Sequence, residues 1–230
     1  MAENTNSVNE EILEQTKQVM EEKTFKEKVI YFFGYYKVHL IVALLIIFFI
    51  GSVIYTIVSN KEELLQVVVV NGNVNVDYDK FYDAYTADKV YDEKTQSYTI
   101  DPYYYIDVDD PTNYEEEMSE KLYVMATASE LDVILCDESY FEVTADIAMG
   151  HDLSLVMSDE QLEKYSDLLY WYDCPDDSYD GIEAVGVDIT DFAKIKELNM
   201  FPDTKAYFVL ILNSPYAENA LDFLEYLDTP

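Results

Sequence analysis

The strongest pattern along the chain is an unbroken apolar run. Residues 38–58 read VHLIVALLIIFFIGSVIYTIV, 21 positions without a charged side chain, closed by Lys37 on one side and Lys61 on the other. As a helix rising ~1.5 Å per residue the run spans about 31 Å, the thickness of a bilayer's hydrocarbon core. Upstream, Ile12, Leu13, Val19, Met20, Phe25, Val29 and Ile30 recur among Glu and Lys at helical spacing, which predicts an amphipathic helix leading into the run. Gly34 is the expected kink between the two. Downstream the pattern changes to short β-branched or alternating runs separated by amphipathic ones. Strands are expected at 65–72, 96–108, 131–137, 183–190 and 206–215, and helices at 78–91, 113–129, 138–149, 158–171, 191–198 and 217–227. LDVILCD at 131–137 has no polar alternation and reads as a strand buried on both faces. Pro102 removes a ladder donor, which places its strand at an edge or on a bulge. Strands separated by helices predict an α/β domain with a mostly parallel, five-stranded, doubly wound sheet, preceded by one transmembrane helix.

The apolar run is too long for a signal-peptide core, 37 residues precede it, and no A-x-A site or cysteine follows it closely. It therefore reads as an uncleaved anchor. All 14 basic residues are Lys. Lys23, Lys26, Lys28 and Lys37 lie within about 15 residues of its start, whereas only Lys61 lies that close to its end. Positive-inside then makes residues 1–37 a cytosolic segment, 38–58 the transmembrane helix and 59–230 an acidic extracytoplasmic domain at the cell membrane. Tyr31, Phe32, Phe33, Tyr35 and Tyr36 form the expected inner aromatic belt and Tyr55 the outer one, with His39 at the inner edge. Residues 59–230 hold nine Lys against 40 Asp and Glu, a net charge of −31 out of −33 for the whole chain. Such a domain repels nucleic acid and anionic polymers and tolerates cations, although solubility alone also accounts for the charge. Cys136 and Cys174 permit one disulfide, while Cys136 in its buried strand also fits a small apolar role.

LDVILCDESYFEVTADIAMGHDLSLV at 131–156 resembles the first lobe of bacterial extracellular solute-binding proteins of the two-lobe, periplasmic-binding type. Asp132, Val133 and Ile134 match the family's strand, and Gly150, Asp152 and Leu153 match the turn after its following helix. VLILNSPYAENALDFLEYL at 209–227 is similar to the family's strand–Asn/Ser–helix segment. The resemblance covers about 100 residues and implies a ligand-binding α/β lobe. The chain departs from the family at 172–182, where a loop stands in place of a second lobe, and in its uncleaved helix, which replaces a lipoprotein anchor. Hinge closure over a ligand is accordingly unavailable to the monomer.

Ligands of doubly wound sheets bind beyond the carboxyl ends of the strands. The expected rim is Asn71, Asp107, Asp137, Glu138, Thr190, Asp191, Asn213 and Ser214, although helix capping explains the same residue types. Two acidic clusters, Asp107/Asp109/Asp110 with Glu115–Glu117 and Asp173/Asp176/Asp177/Asp180, lack EF-hand spacing. Tyr103–Tyr105 and Tyr170–Tyr172 with Trp171 suit a glycan-stacking platform or ordinary half-buried strands. His151 is the one His beyond the apolar run, and no nucleophile, zinc or phosphate-loop motif is present. No metal or cofactor is expected. The reading is a non-enzymatic, membrane-tethered binding or interaction domain with the bilayer and a protein as partners. The alternatives are an accessory subunit of a transporter or secretion complex and, third, a carboxylate-based hydrolase.

Overall fold

A computed structural model describes Glu14, residues 24–173 and residues 182–230. Most of the expected amphipathic helix before Thr24, the loop at 174–181, Cys174 and the acidic cluster at Asp176, Asp177 and Asp180 lie outside the described residues. The chain divides into two compact units, Met1–Asn60 and Lys61–Pro230.

In the first unit, helix α1 runs over Phe25–Ser59. Its start is fixed by a capping box, in which Glu27 accepts from the Thr24 amide at 2.9 Å and from the Thr24 hydroxyl at 2.7 Å. The helix is continuous through Gly34, the position of the expected kink. Glycine weakens a helix interior by about 1 kcal/mol relative to alanine, too little to interrupt a run this apolar. Residues Tyr36–Thr56 are long and apolar enough to cross a membrane, and this is the single such stretch among the described residues. Ile41, Leu44, Leu45, Ile47, Phe48 and Phe49 are all exposed, so the helix is apolar around its whole circumference.

The second unit is a three-layer α/β/α domain. In chain order its elements are β1 (Glu62–Val70), α2 (Tyr78–Thr86), β2 (Gln96–Tyr104), α3 (Asn113–Thr127), β3 (Val133–Asp137), α4 (Glu138–Asp146), a 3-10 turn at Leu153–Leu155, α5 (Asp159–Tyr165), β4 (Leu169–Asp173), β5 (Ile182–Asp188), α6 (Ala193–Leu198), β6 (Ala206–Leu210) and α7 (Ala217–Asp228). The sheet order is β2-β1-β3-β6-β5-β4. It therefore has six strands, not the five expected, and it is mixed. β1 pairs in parallel with β2 and β3, while β6 is antiparallel to both β3 and β5, and β4 is antiparallel to β5. The missed strand is β4. The sequence reads as one helix over 158–171, but the helix stops at Tyr165 and Leu169–Asp173 turns back along β5.

Side chains of the central strands alternate between two cores. Val67, Val69, Val133 and Leu135 pack with Phe81 of α2, Tyr165 of α5, Ile195 of α6 and Phe223 of α7. Val68, Val70, Ile134 and Cys136 pack with Leu122 of α3 and Tyr140 and Phe141 of α4. Because β1 and β3 are buried on both faces, they contain almost no polar side chain in their central stretches, as expected for LDVILCD. Cys136 is a free, fully buried thiol, and burial pushes its pKa up. Pro102 lies in the edge strand β2, at a register shift where Asp101 pairs with Val68 and Tyr104 with Val70. The extra residue relieves the missing donor.

Candidate functional site

β1 leads through α2 to β2 on one side, and β2 leads back over β1 through α3 to β3. The connections diverge at the boundary of β1 and β3, which is where an open α/β sheet leaves a crevice at its strand ends. Asn71 ends β1 with φ 59°, a left-handed conformation that Asn tolerates better than most residues. Its amide Nδ2 donates to the Ile106 carbonyl at 2.9 Å and to Asp137 Oδ1 at 3.1 Å. Its Oδ1 accepts from the Ile106 amide at 2.8 Å. Asp137 also caps α4, accepting from the Tyr140 amide at 3.1 Å and the Ser139 hydroxyl at 2.9 Å. These two rim residues therefore bind each other and clamp the segment around Ile106.

Asp107 follows that clamp. Its Oδ1 accepts from the amides of Asp109 and Asp110 at 3.0 and 3.3 Å. Glu115 closes the loop onto α3, accepting from the Thr112 amide at 2.7 Å and its hydroxyl at 2.6 Å in a capping box. The Thr112 hydrogen bonds hold the Glu115 carboxyl below the usual carboxylate range. Asp107 and Glu115, two carboxylates of this cluster, are thus committed to the loop's backbone. Among the described residues, no three His, Cys, Asp or Glu converge to hold a metal ion.

The loop forms one wall of a cleft of about 570 Å³ between α3 and α4. Its apolar lining is Ile106, Val108, Tyr123, Tyr140, Val143 and Ile147, of which Ile106 and Tyr140 are buried and Tyr123 and Ile147 exposed. Burial pushes the Tyr140 hydroxyl up to about 12, against the opposing effect of a hydrogen bond with Ser119. Asp107, Glu115, Glu116 and Glu120 stand along the lip. Glu115 and Glu116 also suit the positive end of α3, but Glu120 lies a turn further on and is not explained that way.

The other expected rim residues go elsewhere. Glu138 pairs with Lys205 at 3.4 Å, and Asp191 pairs with Lys196 at 2.7 Å. Thr190 donates to Asp188 at 2.6 Å and accepts from the Ala206 amide at 2.9 Å, tying β5 to the start of β6. Asn213 and Ser214 follow β6, which runs opposite to β3, so they lie at the other end of the sheet. There the Ser214 hydroxyl donates to Asp132 at 2.6 Å, and Asp132 also accepts from the Gln66 amide at 2.7 Å. The structure thus gathers Asn71, Asp107 and Asp137 beside one cleft, sets Glu138, Thr190 and Asp191 further along the same end, and separates Asn213 and Ser214 from all six.

The cleft's apolar residues were not singled out from the sequence, although a signal existed. Glu116, Glu120 and Tyr123 follow i, i+4, i+7 spacing on α3, and Tyr140, Val143 and Ile147 follow i, i+3, i+7 spacing in and just after α4. Each set is a stripe on one helix face. No protein-family model matches the chain, and no curated protein or solved structure matches it.

Proposed function

We propose that the protein is a single-pass, membrane-tethered interaction module whose outer domain receives a cationic amphipathic helix of a partner protein in the α3–α4 cleft. The observation that carries this reading is the cleft itself, an apolar lining between two helices with Glu116 and Glu120 exposed on its lip. A groove between helices is a recurring seat for the apolar face of a helix, and acidic lips select a basic polar face. Its volume falls within the range of functional pockets, about 300–1,000 Å³. Lysine asymmetry and the apolar stretch Tyr36–Thr56 support a cytosolic N-terminus with residues 61–230 outside. The resemblance to a solute-binding lobe supports binding over catalysis.

The test uses the full chain in detergent and a fluorescent peptide of Leu and Lys with helical amphipathic spacing. Saturable binding is expected, weakening at least tenfold when Glu116 and Glu120 are both replaced by Lys and again with Ile147→Asp. Equal affinity for wild type and both variants rules the cleft out. Cysteine-reactive labelling of intact cells at an engineered Ser158→Cys site checks the orientation, and protection from an impermeant reagent contradicts it.

A further inference from the structure

A second depression lies at the same end of the sheet, between the first turn of α2 and the end of β2. It measures about 250 Å³, and its lining includes Tyr78, Tyr103, Tyr105, Pro102, Asp77 and Asp79. We propose that this depression binds a small organic cation of the ammonium or quaternary ammonium class, held against the tyrosine rings and balanced by the two aspartates. This goes beyond the helix-docking reading and does not depend on it.

The first argument is how the domain treats its other tyrosines. Lys89 lies 4.7 Å from the ring centroid of Tyr85, Lys121 5.1 Å from Tyr104, Lys164 4.7 Å from Tyr165 and Lys194 5.8 Å from Tyr226. Ammonium groups on tyrosine rings are thus a recurring contact in this fold. The contrast is sharpest across Tyr103, which lines two adjacent depressions. One contains Lys121, whose ammonium donates to the Tyr104 hydroxyl at 2.7 Å. The other is lined by three tyrosines and two carboxylates and by no basic side chain. Among the described residues, neither Asp77 nor Asp79 has a lysine partner.

The second argument is preorganisation. The register shift at Pro102 turns Tyr103 outward, 74% exposed, while Tyr104 is only 2% exposed in the core. An ordinary half-buried strand tyrosine does not show that exposure. The Asn71 amide holds the Tyr104 carbonyl at 2.9 Å, and its side chain holds Ile106, so the backbone on either side of Tyr105 is fixed. Tyr78 is seated against Gly72, where a Cβ would come within 2.5 Å of its hydroxyl. Among the described residues, that buried hydroxyl has no hydrogen-bond partner. The Tyr78 ring and the backbone that carries Tyr105 are thus set before any ligand arrives, which lowers the cost of binding, while the exposed Tyr103 ring is free to close onto it.

Asp77 and Asp79 also serve α2, since Asp77 accepts from the Lys80 amide at 3.0 Å and both sit near the helix start. The helix end contributes roughly half a positive charge there, against two full negative ones. The balance remains anionic. The pocket is below the roughly 300 Å³ at which drug-sized sites begin, so the ligand is small.

The test is calorimetric titration of the full chain in a maltoside detergent, which carries no ammonium headgroup, with choline and its neutral isostere 3,3-dimethyl-1-butanol. Saturable choline binding is expected, with the isostere at least tenfold weaker. Tyr103→Ala and Tyr103→Leu should each weaken choline about three- to thirtyfold, because one ring face is lost. Asp79→Asn should weaken it as well, and Tyr114→Ala, in the neighbouring depression, should not. Tyr103 is exposed, so an unchanged circular dichroism spectrum and an unchanged urea-unfolding midpoint confirm that its variants fold. No saturation by about 10 mM choline, equal binding of the isostere, or full affinity in Tyr103→Leu overturns the proposal.

Discussion

Asp132 carries a buried carboxyl, 3% exposed, at the start of the central strand. Burial raises its pKa, and the hydrogen bonds from Ser214 and Gln66 only partly oppose that. The unfolded chain releases the proton near 3.8, whereas the folded chain keeps it to a higher pH. Between those two values the folded state binds more protons, so this residue's contribution to stability falls as pH rises and levels off above the folded value. Subtracting the urea-unfolding free energies of Asp132→Asn from those of wild type should show that decline, and a difference constant across the acid range contradicts it. Asn71 combines two costs. Asn71→Ala loses three side-chain hydrogen bonds and leaves alanine in a left-handed conformation, with an expected loss of about 2–4 kcal/mol. Asn71→Gly removes the backbone strain and should recover about 1 kcal/mol of it in the same denaturation measurement. The chemical type of both residues was readable in the sequence. Their partners, Ser214 and Ile106, were not, because each bond crosses between segments that only the fold brings together.

At the scale of elements, most strands and helices were legible as periodicities, and the failures have physical causes. In 158–171, Leu162, Tyr165, Leu168 and Leu169 keep helical spacing past the point where the helix ends. Tertiary pairing with β5 takes Leu169–Asp173 into a strand, consistent with the β preference of its Tyr and Trp. The direction of β6 was likewise beyond reach. A strand–helix–strand pattern at 183–215 looks like a parallel crossover, yet β6 inserts between β3 and β5 in the opposite sense. That reversal is what divided the expected rim. The β5–α4 contact offers a test of packing. Phe141 stacks on Tyr207 at 4.0 Å and leaves room only for hydrogen at Gly186, where a Cβ would come within 2.6 Å of its ring. Gly186→Ala should cost about 1–3 kcal/mol by urea unfolding, and pairing it with Phe141→Leu should be less costly than the two single effects added. Thr112→Ala, which removes the cap of α3 and one anchor of the cleft loop, should cost about 0.5–2 kcal/mol.

At the scale of the whole molecule, charge opposes the compact state. The net −31 of residues 59–230 makes the folded domain repel itself, and salt screens that repulsion within a Debye length of about 8–10 Å. Its melting temperature should therefore rise by about 2–4 °C for each kcal/mol gained as monovalent salt is added, and a fall with salt would show that its ion pairs outweigh the repulsion. The acidity was legible from composition alone, whereas the placing of Glu116 and Glu120 beside an apolar cleft and of Asp77 and Asp79 beside three tyrosines required the fold. The two edges of the sheet differ in a further respect. β2 is bulged at Pro102, while β4 has no extra residue and no proline and presents Tyr170 and Trp171 at the surface. A sheet with two open edges can add copies at both and grow without limit. With one edge blunted and one open, edge-to-edge association closes after a single step, so its stoichiometry stops at two.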